Sequence, residues 1–423
     1  MKKAAAITLG CKVNQYDTQA MIELLQKDGY EIVPFHSRAD VYIINTCTVT
    51  NTADKKSRQA ISRAAGMNPD AVICVAGCLS QRAGGELLSM KGVGAVLGTA
   101  DRADIVRIVQ RAKAGKVNAV AVKNDVFEEL TVGSGGEMTR AYIKIQEGCD
   151  QTCAYCIIPF VRGPARSRSL SGIRNEAQRL AGAGVREIVL TGINISSYAG
   201  AVGETLANVL VHLDAVGGLA RIRLGSLEPG LLTYEFIRRI VKVKKLCPHF
   251  HISMQSGSDS VLARMNRPYT AREYARVVDG IRGAFNRPAI TTDVITGFPG
   301  ETEEEFGETF AFVREMRFSR LHVFPYSERA GTAAASLPGK VPQTVRKERA
   351  NSLIAQGKED ERAFISGFLG AADDVLFERY VANGLAEGHT GRYIRVRAGG
   401  KPNEMASVLL KTQKDDIIYG EIV

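Results

Sequence analysis

Most of the usual sequence marks of location and catalytic class are missing from this chain. In its 423 residues no apolar run approaches the roughly 20 residues that a membrane helix needs. The opening MKKAAAITLGCKVNQYD carries two lysines, but its apolar stretch is too short for a secretion signal and runs straight into a polar, helix-like segment. It therefore reads as a first β-strand, and the cytoplasm is the expected compartment. There is no internal repeat and no low-complexity tract. Walker loop, HExxH pair and nucleophile elbow are all missing, which leaves phosphate-loop, zincin and serine-hydrolase chemistry without their usual residues. Eight cysteines in a thiol-reducing compartment make a poor disulfide framework, so metal binding or redox chemistry is the better expectation.

What is present is an ordinary globular composition, 45% hydrophobic and 24% charged, in a chain long enough for two or three domains. The net charge of +10 is carried mainly by the middle of the chain and favours an anionic partner such as RNA. AAAITLG (4–10), VYIINT (41–46) and AVICVAG (71–77) alternate with helical stretches, the pattern of a parallel sheet built from βαβ units. NDVFEELTVGSGGEMTR (124–140) has the Gly/Ser content of a linker.

From Ala141 a second alternation begins. AYIKIQ, REIVLTG, RIRLGS, FHISMQ, AITTDVITG and RLHVFPY read as six strands separated by helices, a partial (β/α)6 barrel. In such a fold the chemistry gathers where strands end, here at EGC, TGIN, SLEP, QSGS and GFPGE. After a charged exit helix, VLFERYV, YIRVRA, SVLLKT and IIYGEIV predict a small C-terminal β-barrel. The expected fold class is thus α/β, with domains over 1–130, 135–370 and 371–423.

Cys149, Cys153 and Cys156 form the strongest local signal. Three thiolates within eight residues, at the end of the first barrel strand, can grip three irons of a 4Fe–4S cluster and leave the fourth iron open. A zinc ribbon would pair two CxxC knuckles, and no second knuckle appears. Cys11, Cys47 and Cys78 lie far apart in sequence, but each closes a strand of the first sheet. Neighbouring parallel strands end on one edge, so these thiols are either a second convergent set or three separate small core residues. Cys74 and Cys247 fit neither set, and Cys74 reads as packing. Gly92-Val-Gly94-Ala-Val-Leu-Gly98 lacks the glycine spacing of a dinucleotide fingerprint and reads as a turn.

The spacing of Cys149, Cys153 and Cys156 resembles that of radical S-adenosylmethionine enzymes. TLGCKVNQYDTQ, INTCTVTNTADKKSRQ, IQEGCDQTCAYCIIPFVRG, LTGINISSY, SMQSGSDSVLARMNRPYT and DVITGFPGETEEEF, in this order across nearly the whole chain, resemble the methylthiotransferases of that class. The resemblance implies two 4Fe–4S clusters. One, on Cys149, Cys153 and Cys156, generates a radical from S-adenosylmethionine; the other, on Cys11, Cys47 and Cys78, carries the sulfur to be inserted. Conversion of C–H to C–SCH3 would use two S-adenosylmethionines per turnover, with an electron donor and a sulfur donor as partners. It would leave the hard chemistry to cofactors.

Within the family, GCKVNQYDTQ resembles the type acting on N6-threonylcarbamoyladenosine beside the tRNA anticodon, and the last domain resembles a TRAM RNA-binding barrel. Other readings are action on isopentenyladenosine, action on a ribosomal protein, or a non-catalytic metal-containing RNA-binding protein. Pro164-Ala165 and Gly225 depart from the family's usual residues. Thr191, Gly192, Gln255 and Ser256, at strand ends, are expected cofactor contacts. Tyr155 either packs on the cofactor adenine or is a core aromatic. Arg162, Arg166, Arg168 and Arg174 form a run without intervening acids before Arg174, read as a holder of RNA phosphate or cofactor carboxylate, or as ordinary surface arginines.

Overall fold

Near-continuous apolar runs need cover on both faces, and the first sheet of the computed structural model provides it. Residues 2–120, 126–133 and 139–423 are described. Six parallel strands, β1 (Lys3–Thr8), β2 (Glu31–Ile32), β3 (Val41–Thr46), β4 (Val72–Gly77), β5 (Val93–Leu97) and β6 (Val117–Ala119), lie in the order β2-β1-β3-β4-β5-β6. Every residue of β3 and β4 is buried. Helices α1 (Lys12–Lys27) and α4 (Ile105–Ala112) place Met21, Leu25, Ile105 and Val109 on one face. On the other, α2 (Asn51–Met67) and α3 (Cys78–Leu88) contribute Ile61, Ala64, Leu79 and Leu87. The glycine-rich stretch read as a turn is instead mostly β5; only Gly92, at φ +81°, makes a turn before it.

Residues 124–125 and 134–138 of the expected linker lie outside the described residues. Its described part is packed. Phe127, Leu130 and Val132 are buried, and Glu128 and Glu129 pair with Arg102 and Arg168.

The second unit comprises β7 (Arg140–Lys144), β8 (Gln146–Glu147), β9 (Arg166–Ser167), β10 (Glu187–Thr191), β11 (Arg221–Leu224), β12 (Ser226–Leu227), β13 (His249–Ile252), β14 (Ala289–Thr296) and β15 (Arg320–Pro325). Parallel pairing runs β7-β10-β11 and β12-β13-β14-β15, with a bridge from Ile222 to Leu246 between the two parts. β7 and β15 are the free edges, so the six long strands form a partial barrel, as the alternation predicts. A core of Ile143, Ile188, Leu190, Ile222, Phe250, Ile252 and Val294 fastens these strands to their helices.

After the 24-residue helix Gln343–Ser366, the strands β16 (Ala372–Tyr380), β17 (Ala386–Thr390), β18 (Arg395–Ala398), β19 (Met405–Lys414) and β20 (Ile417–Ile422) close a small barrel in the order β16-β17-β18-β20-β19. It is filled by Val375, Phe377, Val396, Val408, Leu410 and Ile418. Arg221 and Arg223 of β11 donate to its carbonyls at Asp374, His389, Thr390 and Gly391, which seats it against the larger barrel.

Candidate active site

Cys11, Cys47 and Cys78 come together because β1, β3 and β4 are neighbours ending on one edge. Cys11 is the N-cap of α1, Cys47 follows β3, and Cys78 opens α3 directly behind β4. Packing there is tight: a Cβ placed on Gly10 would lie 2.7 Å from Cβ and 3.0 Å from Sγ of Cys47. Gly77, at φ +95°, turns the chain into α3 where a side chain would collide with Asn45 and Thr46. Burial, then the neighbouring Cys78, pushes the Cys47 thiol up to about 11; burial likewise raises Cys78, against the pull of the Arg162 guanidinium.

Cys149, Cys153 and Cys156 stand on the loop after β8. Gly148, at φ +72°, precedes the first of them; a Cβ there would meet the Pro164 carbonyl oxygen at 1.8 Å. The loop is pinned by Cys149 N–H donating to Gly163 (3.1 Å), Ala154 N–H to Met265 (2.9 Å) and Cys156 N–H to Cys153 (3.0 Å). The three cysteines line a cavity of about 440 Å³ with Gln151, Phe160, Pro164 and Thr332. Burial raises Cys149 and pushes Cys156 up to about 12.

These two donor sets fit 4Fe–4S clusters. Each is three thiols, one from each of three neighbouring strand ends in the first set and all from one loop in the second. Among the described residues no three His, Cys, Asp or Glu side chains stand close enough to hold a single ion. A cluster is wider than one ion, so its thiolates must stand further apart. Thiols that burial would keep protonated become ligands when a metal takes the proton's place.

A buried arginine touches one sulfur of each set. Arg162 Nε donates to Cys78 Sγ at 3.2 Å, and Arg267 Nη1 donates to Cys153 Sγ at 3.1 Å. Asn194 Nδ2 lies 4.0 Å from Cys149 Sγ. Arg267 is itself paired with Glu228 and donates to Tyr269 Oη at 2.9 Å. Arg162 belongs to the helix Ile158–Arg162 that follows Cys156, and Ile157 and Val161 pack against Cys78. One short helix therefore joins the two cysteine sets.

Arg162 is the hub of a buried charge network. It donates to Glu147 Oε1 at 2.6 Å and to Asn14; Lys144 reaches Asp17 at 2.6 Å and Glu147 at 3.2 Å; Arg102 reaches Asp17 at 3.1 Å. Burial alone would raise the Glu147 carboxyl, but Arg162, Lys144 and Arg102 outweigh it and hold it far below the usual carboxylate range.

The reading of the arginine run as phosphate holders is corrected here. Arg162 and Arg168 are buried, the latter against Glu176 and Glu129, and Arg166 donates to the carbonyls of Arg162 and Pro164. Only Arg174 is exposed. Their acidic partners come from other elements, which a local charge count does not reveal.

Thr191 and Gly192 line a second cavity, of about 620 Å³, shared with Gly10, Cys11, Lys12 and residues of the C-terminal barrel such as Tyr393 and Arg395. Gln255 takes a left-handed φ of +69°, uncommon for a residue with a side chain, and bridges to Asp293 and Ile295 through its backbone. The Ser256 hydroxyl is spent on Thr309 (3.0 Å) and on Ser258 N–H (3.2 Å). Tyr155 packs with Ala154, Val261, Met265 and Tyr326. Of the two departures, Pro164 lines the Cys149 cavity, and a Cβ on Gly225 would press to 3.0 Å on the Leu190 carbonyl. Cys74 is core, at about 12 from burial, and Cys247 is buried. Arg267, Asn194 and Lys12 escaped the sequence reading, although Arg267 lies within the MNRPY phrase and Lys12 directly follows Cys11.

A partial barrel with three cysteines on its first strand-end loop, beside a parallel sheet that gathers three more, has the architecture of a radical S-adenosylmethionine enzyme. Residues 3–98 match the uncharacterized protein family UPF0004 and residues 143–313 the radical SAM superfamily. The chain is 42% identical over its whole length, and 96% of the relative, to the threonylcarbamoyladenosine tRNA methylthiotransferase MtaB of Bacillus subtilis. It is 36% identical to that of Thermotoga maritima (98% of this chain, 96% of the relative). A tRNA-2-methylthio-N(6)-dimethylallyladenosine synthase of Pelotomaculum thermopropionicum is 35% identical over 84% of this chain and 82% of its own. The fold is shared with the radical S-adenosylmethionine methyltransferase TsrM of Kitasatospora setae, at TM-score 0.59 and 15% identity, over 79% of this chain and 77% of that one. The chain belongs to the radical S-adenosylmethionine methylthiotransferases, of the MtaB type.

Proposed function

We propose that this enzyme converts N6-threonylcarbamoyladenosine, beside the anticodon of tRNA, to its 2-methylthio derivative. The observation that carries the reading is the pair of cysteine sets joined by the helix Ile158–Arg162, with Cys11 opening onto a cavity that barrel strands share. The 1–130 unit holds the sulfur-carrying cluster on Cys11, Cys47 and Cys78; 135–370 holds the radical-generating cluster on Cys149, Cys153 and Cys156; 371–423 is a TRAM-like RNA-binding barrel. When bound, the two clusters and S-adenosylmethionine supply the radical, the sulfur and the methyl group.

The chain's own residues do the rest. Arg162 and Arg267 stabilise thiolate charge at Cys78 and Cys153 by charge-assisted hydrogen bonds. We assign Gln255, Thr191, Gly192 and Tyr155 to holding the cofactor at the strand ends, with Ser256 fixing its loop to Thr309. A base in a tRNA loop can be turned out of its stack into the 620 Å³ cavity, as a paired base cannot without opening the helix. An electron donor and a sulfur donor complete the partners. Among the described residues no helix is long and apolar enough to cross a membrane, and we place the enzyme in the cytoplasm. The test is mass spectrometry of tRNA nucleosides from cells with and without the gene. The methylthio derivative of threonylcarbamoyladenosine should vanish on deletion. Its persistence, with loss of the isopentenyl counterpart instead, overturns the substrate.

A further inference from the structure

The 620 Å³ cavity is lined by six cationic side chains and three acidic ones. Five of the cations are matched. Arg140 and Arg223 share Glu187 at 2.7 and 2.8 Å; Arg320 is held by Glu361, Arg392 by Asp373 and Arg395 by Asp416. The sixth, Lys12, has no hydrogen bond and no ion pair among the described residues. It is exposed and lines the cavity with Cys11, Arg140, Arg223, His249 and His322, and Glu187 is the carboxylate near it. A second polar atom there is unmatched: His249 Nδ1 is buried without a partner, its ring 5.5 Å from that of Tyr393.

Lys12 is exposed to the cavity, and its unmatched ammonium, beside a buried imidazole nitrogen and among arginines already neutralised, suits a negatively charged ligand that also accepts hydrogen bonds. This argument rests on the function proposed above. Carbon 2 of the target adenine must approach the Cys11 end of the cavity to receive sulfur. The N6 substituent hangs from carbon 6, on the same ring edge and separated from carbon 2 by N1 alone, and Lys12 is the residue next to Cys11. We propose that Lys12 binds the carboxylate of the N6-threonylcarbamoyl group, with His249 Nδ1 as a neighbouring contact, and that Lys12 sets the preference for this substrate over a hydrocarbon N6 group. An isopentenyl group would leave the ammonium desolvated and unpaired.

The experiment measures dissociation constants of the iron-loaded enzyme for three versions of one anticodon stem-loop: unmodified, isopentenyl-modified and threonylcarbamoyl-modified. Wild type should prefer the threonylcarbamoyl loop by about tenfold or more, the worth of one charge-assisted contact. Lys12→Met should remove that preference by weakening only this loop, and Lys12→Arg should keep most of it. Equal weakening for all three loops would make Lys12 a phosphate contact, and an unchanged ratio would exclude it from recognition; either result overturns the proposal. A wild type that binds the three loops alike and methylthiolates none of them would refute the functional reading itself. Should the Met variant lose iron, Lys12→Gln supplies the same comparison.

Discussion

Arg162 donates its Nε–H to the sulfur of Cys78 across 3.2 Å, although the two residues are 84 positions apart. The contact connects the loop of one cysteine set to a sulfur of the other, and Glu147, two residues before Cys149, holds the same guanidinium from behind at 2.6 Å. One arginine thus bridges the two cysteine sets through a hydrogen bond and an ion pair.

The two sets should fill independently. Fully reconstituted protein should hold about eight irons, from two 4Fe–4S clusters. Alanine at Cys149, Cys153 and Cys156 should halve the iron and abolish 5′-deoxyadenosine formation. Alanine at Cys11, Cys47 and Cys78 should also halve the iron but leave cofactor cleavage largely intact. Iron analysis with chromatography of 5′-deoxyadenosine checks both, and full iron in the second variant would refute the auxiliary set.

Arg162 should tune the auxiliary site. A donor and positive charge on Cys78 favour the reduced, more negative state. Loss of one such bond, at about 1 kcal/mol, should lower a one-electron potential by about 40 mV. Arg162→Lys keeps the charge and should shift less than Arg162→Gln. The Gln variant also takes from buried Glu147 its closest partner while Lys144 stays at 3.2 Å, a change that costs roughly 1–3 kcal/mol of stability. Redox titration followed by electron paramagnetic resonance reads the first effect, and chemical denaturation the second.

Glu187 supplies a pH dependence with a definite sign. Burial would raise its carboxyl, but Arg223 and Arg140 hold it down at about 2, below the ordinary value of 4.5. Because the folded value is depressed, its contribution is present above about pH 4.5 and is lost as pH falls through about 2, on the order of 3 kcal/mol in all. Denaturation of wild type and Glu187→Gln should therefore differ most near neutrality and converge toward pH 2. A gap that stays constant with pH would show that the arginines do not depend on this carboxylate.

Much of this arrangement was legible in the sequence, for reasons that can be named. The strands EIVLT and AITTDVIT are β-branched runs closed by glycine, and both cysteine sets are marked by where the barrel strands and the strands of the first sheet end. β2, with two residues, and β6, with three, are too short to carry a period; they pair at the sheet edges once β1 and β5 exist. β17, AEGHT, has no alternation and is a strand because its neighbours in the closed barrel demand one. The arginine run misled because burial is decided in three dimensions. Glu147 meets Arg162 through the fold of the Cys149 loop, and Asp17 meets it only after α1 docks on the barrel. The same reason hid Lys12, whose lack of a partner is a property of the assembled cavity.

The most direct test of the account is mass spectrometry of one defined tRNA after anaerobic incubation with reconstituted enzyme, reductant and S-adenosylmethionine. The account predicts that tRNA carrying threonylcarbamoyladenosine gains the methylthio group, that the same tRNA lacking the N6 substituent gains nothing, and that either triple-cysteine variant is inactive. Methylthiolation of the unmodified or isopentenyl-modified tRNA at an equal rate, or product formation by an enzyme without Cys11, Cys47 and Cys78, would contradict it.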